Sequence, residues 1–293
     1  MIRRPPRSTQ GVSSAASDVY KRQPDGTATV IATRAEILAA TGMSSSGMRD
    51  SGIDVDVEGN VFFTEQGSRS ILMVAADGSG VTMVASQADI AAATGGYYGD
   101  GRYLSADPHG LAVAPDGTIY VGDNYSESII AVNPTTGAVT SVVDRKDLSD
   151  TLGGNPGVSL YGGIVAAPDG TIYAVSDNPE NDPQYAGVIF AIDPVGTATV
   201  VVAAPPWVSL DVSITLAPNG DLIVADDGDA HRDGAIWRID PGDGTPHSAR
   251  VDSFLLDHEL AATVGGAIDL EGGIGFDSAG NFYIAESATD QIY

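Results

Sequence analysis

Residues 110–123 read G-L-A-V-A-P-D-G-T-I-Y-V-G-D, and they carry the strongest structural signal in the chain. Leu111 and Val113 alternate with small residues, and Ile119 and Val121 continue the alternation beyond the centre of the segment, which is the period-two pattern of β-strands. Between the two runs, P-D-G supplies a turn, because proline presets a favourable φ and glycine accepts a positive φ. This segment is therefore predicted to be a β-hairpin.

The same hairpin recurs four more times along the chain. When the copies are aligned on the turn glycine, the steps between them are 58, 53, 50 and 60 residues, and the glycines are Gly59, Gly117, Gly170, Gly220 and Gly280. A second pair of strands follows each complete hairpin, so that one step holds four strands. Regular steps of this size built only from strands are typical of β-propeller blades. The sequence predicts an all-β propeller of four-stranded antiparallel blades, with four complete blades and two partial ones, truncated at both ends from a larger ring.

A second recurrent element separates the blades. It spans ten residues that begin with a capping residue and end at glycine, in segments 33–42, 86–95, 144–153 and 257–266. In the first two segments a hydroxyl residue stands three positions before an acid, which is a capping box, and the third segment has an acidic version of it. Short helices between blades are therefore predicted.

Residues 1–23 differ from the rest of the chain. The runs M-I-R-R-P-P-R-S-T and S-S-A-A-S-D-V-Y-K-R-Q resemble translated sequencing-adapter DNA, and five of the chain's Lys and Arg residues lie here. We expect this segment to be a non-native, disordered tail, followed by a single propeller domain over residues 24–293. The native amino terminus and any export signal would then be missing. The alternative is a basic tail that binds nucleic acid or a membrane.

The composition restricts the classes of partner. The chain holds 14 Lys and Arg against 39 Asp and Glu, for a net charge of −25. Such a surface repels nucleic acid and anionic membranes. Cysteine is absent, which excludes disulfides and thiolate zinc sites, and no apolar run reaches the ~20 residues of a membrane span. We expect an extracellular or periplasmic monomer with no nucleic-acid partner and no membrane span.

Acidic residues precede the inner strands. In a propeller, the residues just before each innermost strand face the central channel, so these side chains are expected to converge at one mouth: Asp50, Asp107, His109, Tyr161, Asp211 and Glu271. Oxygen-rich convergence suits a hard cation such as Ca²⁺ or another divalent cation. The predicted metal ligands are Asp50, His109, Asp211 and Glu271. The alternative is a set of solvated acids at a channel entrance.

The repeat pattern resembles a known family. Units of the form P-x-G-L-x-x-x-P-D-G-x-[IL]-Y-V-x-D, followed by I-x-x-[VI]-[DN]-P and a T-x-V strand, are similar to NHL-repeat and gluconolactonase (regucalcin-like) six-bladed propellers of bacteria. The resemblance covers residues 24–293 and implies a parent ring of six blades, a divalent cation at the mouth and a carboxylate general base, for which Asp211 and Asp107 are the candidates. His109 stands at the ligand position of the family's P-N-G opening, and Glu271 lies one residue away from its E-G-P opening.

The loop before the second hairpin has the composition of a recognition surface. Residues 95–109 combine flat amphipathic rings with a planar cation, a mixture that proteins use to contact ligands. Packing against the neighbouring helix is the alternative explanation. Together with the residue at the next blade opening, the predicted ligand-binding residues are Tyr97, Tyr98, Arg102, Tyr103 and Tyr161.

Carboxylates also follow the second strand of several units. Glu65, Asp123 and Asp226 occupy this position. Acidic side chains that leave a strand commonly accept hydrogen bonds from their own turn. We expect these residues to form turns.

The function predicted from sequence is that of an exported ligand-binding or interaction scaffold. Its ligand would be a small molecule, a carbohydrate or a protein, bound at the channel mouth. The alternative is a lactonase, or a related hydrolase or lyase, that depends on a divalent cation. A structural role within a larger surface protein is a third reading. The chain has no G-x-S-x-G elbow, P-loop, H-E-x-x-H motif or dinucleotide fingerprint.

Overall fold

The structure is a computed structural model. It describes residues 19–22, 28–47, 52–96, 101, 104–154, 158–177, 187–204, 213–226, 235–242, 250–256, 273–276, 280–286 and 291–292. In these residues there are four four-stranded sheets, one three-stranded sheet and one two-stranded sheet. All strand pairs are antiparallel, and the strand order within each sheet follows the chain.

Each four-stranded sheet is one blade, which we call a unit, and its strands run in chain order from the centre outward. Unit 1 consists of β3 (Ile53–Val55), β4 (Val61–Glu65), β5 (Ser70–Val74) and β6 (Val81–Ala85). Unit 2 consists of β7 (Pro108–Val113), β8 (Ile119–Asp123), β9 (Ser128–Val132) and β10 (Val139–Val143). Unit 3 consists of β11 (Ile164–Ala166), β12 (Ile172–Asp177), β13 (Gly187–Ile192) and β14 (Ala198–Ala204). Unit 4 consists of β15 (Ser213–Leu216), β16 (Leu222–Asp226), β17 (Ala235–Asp240) and β18 (Arg250–Leu256).

The two partial units have fewer strands in the described residues. Unit 5 consists of β19 (Ile274–Phe276), β20 (Phe282–Glu286) and β21 (Gln291–Ile292). Ahead of unit 1, β1 (Val19–Arg22) pairs with β2 (Ala28–Ala32). Strand β1 falls within residues 1–23, the segment predicted to be a disordered tail. Its four residues instead form a two-stranded sheet with β2. The predicted boundary at residue 24 stays a prediction.

The inner strands lie side by side in chain order. Strand β3 contacts β7, β7 contacts β11, β11 contacts β15, and β15 contacts β19. This is the radial arrangement of a propeller, in which every inner strand has one inner strand before it and one after it. The predicted fold class is confirmed. The ends of the inner strands therefore come together at a common channel.

The hairpin that opens unit 2 has the predicted turn. Leu111 pairs with Val121, and the N–H of Ala114 donates to the carbonyl oxygen of Thr118 at 2.8 Å. Gly117 closes the turn with φ of +85°, a conformation that strains any residue with a side chain. The two strands are thus fixed in a register that places Leu111 and Val121 on the same face.

Apolar clusters fill the space between consecutive units. Between units 1 and 2, Phe62 and Ile71 pack with Leu111, Ile119 and Val121, and all five side chains are buried. Burying one such side chain contributes about 1.5–3 kcal/mol. Equivalent clusters join the other neighbouring units. The core is therefore made of interfaces between blades, which fixes the position of each inner strand relative to the next.

Three short helices connect the units: α1 (Arg34–Thr41), α2 (Gln87–Thr94) and α3 (Arg145–Thr151). All three have the predicted capping box, and each packs on the outer strand of the following unit. The C-cap residue of α3 is Leu152, one residue before the predicted glycine, while the C-cap residues of α1 and α2 are glycines in the left-handed conformation. The fourth predicted helix, at 257–266, lies outside the described residues. Over the residues that are described, no helix has the length and apolarity that crossing a bilayer requires.

Candidate functional site

The candidate site begins at a bulge in β7, the inner strand of unit 2. Pro108 pairs with Asp123 of β8. The next paired residue of β7 is Leu111, which lies opposite Val121, so β7 has one residue more than β8 in this interval. A bulge leaves the extra residue outside the regular ladder and changes the direction of its side chain. The bulge comes directly after Pro108, and it sets the orientation of His109.

Asp107 and His109 contact each other at the start of this strand. Nε2 of His109 lies 3.2 Å from Oδ2 of Asp107, and both side chains are largely buried. A buried imidazole requires hydrogen-bond partners, and the carboxylate is one for Nε2. The structure thus brings two of the predicted site residues into one polar pair.

Tyr161 of unit 3 lies against this pair. Its ring centroid is 4.5 Å from that of His109, and the two ring planes meet at 77°. The Tyr161 side chain nevertheless remains 47% exposed. A ring that packs on one side and is open on the other is a common contact surface for ligands. Residues from units 2 and 3 therefore form one continuous surface at the mouth.

Unit 1 holds the backbone that carries this pair. Oγ1 of Thr64 donates to the carbonyl oxygen of His109 at 2.9 Å. Nε2 of Gln66 donates to the carbonyl oxygen of Pro108 at the same distance. Buried carbonyl groups outside the ladder need such partners. The two bonds cross from unit 1 to unit 2, and they fix the bulge in place.

Arg69 makes the third connection from unit 1. Its guanidinium donates to Oγ of Ser105 at 2.9 Å and to the hydroxyl of Tyr125 at 3.0 Å, and it lies 4.7 Å from the centre of the Tyr125 ring. Nε of Arg69 is 4.0 Å from Oδ1 of Asp107, the oxygen turned away from His109. The backbone of Arg69 has φ of +53°, which costs about 1–2 kcal/mol for a residue with a side chain. These contacts offset that cost.

The turn that carries this arginine recurs in unit 2. In unit 1, Oε2 of Glu65 accepts from the N–H and the hydroxyl of Ser68, at 2.6 and 2.5 Å. In unit 2, Oδ2 of Asp123 accepts from the same groups of Ser126, at 3.0 and 2.5 Å. In both turns the residue after the serine has a positive φ. The predicted turn-forming role of these two carboxylates is confirmed.

Asp123 also supports the site directly. Its Oδ1 accepts from the backbone N–H of Asp107 at 2.5 Å, and its side chain is fully buried. Burial raises the pKa of the Asp123 carboxyl, because a low-dielectric environment disfavours the charged form. The hydrogen bonds from Ser126 and from the Asp107 backbone oppose this shift, and the negative charge of Asp107 adds to it.

Three predicted site residues are described, and they meet. These are Asp107, His109 and Tyr161. The other predicted site residues lie outside the described part of the chain, namely Asp50, Tyr97, Tyr98, Arg102, Tyr103, Asp211 and Glu271. Their convergence on the same mouth stays a prediction.

The residues that hold the pair were missed by sequence reasoning. Thr64 and Gln66 flank a carboxylate that was assigned only to a turn, and Arg69 lies within that turn. In both units an acid is followed three positions later by a serine and then by a charged residue, which is Arg69 in unit 1 and Glu127 in unit 2. This pattern could have identified the two charged residues as equivalent. It could not have shown that the side chains of Thr64, Gln66 and Arg69 reach the next unit.

The described donors do not by themselves fit a divalent cation. Among the residues that the structure describes, no three His, Asp or Glu side chains are grouped as metal ligands would be. One oxygen of Asp107 contacts His109, and the other faces the guanidinium of Arg69. A hard cation takes six or more oxygen ligands, and a neighbouring guanidinium opposes it. A metal site would depend on the predicted acids outside the described residues.

Comparison with known proteins supports the same architecture. The sequence pattern of the NHL repeat matches residues 106–129, which include the strand that carries His109. No curated protein sequence is significantly similar to this chain.

Several solved structures are similar to the chain. The nidogen/laminin complex matches with a TM-score of 0.58 at 17% identity, over 90% of this chain and 78% of that one. A catalytically inactive histidine-to-alanine variant of virginiamycin B lyase from Staphylococcus aureus with quinupristin matches with a TM-score of 0.55 at 16% identity, over 94% and 73%. The calcium-binding protein regucalcin from Agrobacterium tumefaciens matches with a TM-score of 0.52 at 16% identity, over 80% and 66%. Identities this low establish a shared propeller fold, and they do not extend to activity.

Proposed function

We propose that this propeller is a ligand-binding protein whose site is the channel mouth at Tyr161. The observation that carries the proposal is the meeting of Tyr161 with the Asp107–His109 pair, three residues contributed by two units. Bonds from Thr64 and Gln66 hold the pair before any ligand arrives. Preorganised polar groups beside an aromatic ring are the usual composition of a binding site.

Binding is favoured over catalysis by the burial of the imidazole. A general base must come within about 2.6–3.2 Å of the proton that it removes. The His109 ring is covered by Tyr161, and its Nε2 contacts Asp107. Tyr161, in contrast, offers an open face on which a small molecule, a sugar ring or a protein side chain can stack.

The experiment compares two tyrosines of similar exposure. The parent, Tyr161→Ala and Tyr283→Ala proteins are screened against one collection of small molecules and oligosaccharides by ligand-observed NMR. We expect ligands that bind the parent and the Tyr283→Ala control, and that bind the Tyr161→Ala variant at least about tenfold more weakly, equivalent to ~1.4 kcal/mol. Ligands that bind all three proteins equally would show that the mouth is not the site.

A lactonase or lyase is the second candidate function. The observation in its favour is the 3.2 Å contact between imidazole and carboxylate, because a carboxylate that orients a histidine is a recurring part of acid–base sites. The similarity to virginiamycin B lyase adds support at the level of fold. Incubation of the protein with quinupristin, and with glucono-1,5-lactone, tests this reading. Turnover that is lost in His109→Gln would support it.

The cation and the cellular location stay proposals. The similarity to regucalcin makes Ca²⁺ the cation to test, with Asp50, Asp211 and Glu271 as the further ligands. Calorimetric titration of the parent and of Glu271→Ala with Ca²⁺ decides the point, because a site that includes this residue gives heat only in the parent. We propose an extracellular or periplasmic location, with the strongly acidic composition as its support, and fractionation of the producing cells tests it.

A further inference from the structure

The inner strands differ in how well their apolar residues are covered. We call the side of a unit that faces the preceding unit its leading face. The first apolar residue on the leading face is buried in units 2, 3 and 4, namely Leu111, Ile164 and Ile214. In unit 1 the equivalent residue, Ile53, is 54% exposed, and Val55 on the same face is 53% exposed. Two large aliphatic side chains of a strand thus face solvent, whereas the equivalents of Ile53 are buried and those of Val55, namely Val113, Ala166 and Leu216, are partly buried against the core.

The covering residues of the complete interfaces are known. Leu111 packs against Phe62 of the second strand of unit 1. Ile164 packs with Ala112 and Tyr120, which belong to the inner hairpin of unit 2. In each case the inner pair of strands of the preceding unit supplies the cover. The leading face of an inner strand therefore requires an inner hairpin in front of it.

Strands β1 and β2 supply only the outer half of this cover. Val19 of β1 and Ala32 of β2 pack with Phe63, Leu72 and Val74, which belong to β4 and β5. All five are buried. In the described residues the sheet of β1 and β2 has two strands, whereas complete units have four. The cover ends where the inner strand of unit 1 begins.

We propose that the exposed surface of Ile53 and Val55 is an acceptor for one β-hairpin of the repeat type. The hairpin would lie where an inner pair lies in the complete units, beside β1 and in front of β3. The hairpin should resemble the inner hairpins that cover the other units. It should have two antiparallel strands with a small residue and a tyrosine on the face that packs against β3, as Ala112 and Tyr120 do in unit 2. Backbone hydrogen bonds to an open strand edge and apolar packing are the means by which strands add to sheets.

Other occupants are disfavoured by the sequence. Residues 1–18 directly precede β1, but they contain two consecutive prolines and lack alternating apolar residues. A second copy of the chain could offer Tyr283 of unit 5, which is exposed and occupies the position of Tyr120. If unit 5 of a second copy docked with β19 and β20 in front of Ile53, however, its third strand, β21, would occupy the space that β1 already fills.

Thiol labelling tests the proposal, because the chain has no cysteine of its own. Ile53→Cys and Leu111→Cys variants are treated with Ellman's reagent, alone and with a synthetic peptide of residues 108–124. We expect fast labelling of Ile53→Cys that slows at least about tenfold with saturating peptide, and slow labelling of Leu111→Cys throughout. The control peptide carries Ala112→Asp and Tyr120→Asp, and it should give no protection.

A fused protein makes the test independent of peptide affinity. In this variant residues 1–18 are replaced by a copy of residues 105–125 followed by a short flexible linker, so that the hairpin acts at an effective concentration of about millimolar. We expect Ile53→Cys in this background to label at least about tenfold more slowly than in the parent chain. Unchanged labelling of the folded fusion would overturn the proposal. Protection by the control peptide, or protection that rises with protein concentration when no hairpin is added, would overturn it as well.

Discussion

Gly110→Ala should destabilise the protein through the contact between units 2 and 3. A Cβ at this position would lie 2.4 Å from the carbonyl oxygen of Gly162 and 3.1 Å from the backbone nitrogen of Ile164. Close carbon–oxygen contacts in proteins lie at about 3.3 Å or more, so the two inner strands would have to separate by roughly 0.9 Å. Neighbours that belong to the backbone cannot move aside as a side chain can. Overpacking of this kind costs about 1–3 kcal/mol.

Gly273→Ala is the matched control. Gly273 precedes the inner strand of unit 5 as Gly110 precedes Leu111, neither glycine has a positive φ, and a Cβ at Gly273 would meet no atom within 4 Å. Alanine at such a position stabilises by about 0.4–1 kcal/mol, because it reduces the freedom of the unfolded chain. The two variants should therefore differ by about 1.4–4 kcal/mol.

Thermal unfolding followed by circular dichroism measures the difference. For a domain of this size, about 2–4 °C of melting temperature corresponds to 1 kcal/mol, so Gly110→Ala should melt at least about 3 °C below Gly273→Ala. Urea denaturation gives the free energies independently. Equal melting temperatures for the two variants would refute the close approach of β7 and β11, on which the radial arrangement depends.

Further predictions concern the pH dependence of stability, the outer turns and a helix cap. Burial raises the pKa of Asp54, although its Oδ2 accepts the N–H of Val113, so the folded protein holds this proton more tightly than the unfolded chain does. The unfolding free energy of the parent should therefore fall relative to Asp54→Asn as pH rises from about 4 to 7, and a constant difference in urea denaturation would contradict this. Gly137→Ala should lower the unfolding free energy by about 1–3 kcal/mol more than Gly78→Ala in the same assay. Both glycines have a positive φ, but only a Cβ at Gly137 would meet a backbone oxygen, at 2.7 Å. Equal losses for the two variants would exclude that contact. Ser86→Ala removes an N-cap and should cost about 1 kcal/mol, and no loss of stability would show that the capping box of α2 contributes nothing.

Local signals in the sequence were sufficient to predict the blades. The P-D-G turn at Gly117 and the alternation around it specify a hairpin without reference to the rest of the chain. The capping boxes at Thr33 and Ser86 predict the starts of α1 and α2 in the same way. Repetition then supplied the architecture, because four-stranded units of this size that pack face to face are typical of a radial arrangement.

The site was predictable only in part, because its geometry depends on contacts between units. The sequence placed Asp107, His109 and Tyr161 at one mouth, since each was expected to precede an inner strand, although the structure begins β7 at Pro108 and so includes His109 in the strand. It did not show that one extra residue in β7 turns His109 toward Asp107, nor that Arg69 reaches across from the preceding unit. Bulges and side-chain bridges between units leave no periodic signal.

Burial of the inner strands shows the same limit. Ile53 and Leu111 both follow a glycine and both are the first large apolar residue of an inner strand, so the sequence assigns them the same environment. Leu111 is only 4% exposed, because unit 1 lies in front of it, whereas Ile53 has no inner hairpin there in the described residues. The environment of such a residue is set by the neighbouring unit, which no local pattern encodes.

The most direct test of the account is a distance between two units at the channel mouth. The chain has four histidines, so the imidazole signals of His109 can be assigned by comparing NMR spectra of the parent and the His109→Gln variant. With ring centroids 4.5 Å apart, the His109 protons should show nuclear Overhauser effects to the ring protons of Tyr161 that disappear in Tyr161→Ala. A folded protein in which these effects are absent would contradict the convergence of units 2 and 3 at one site.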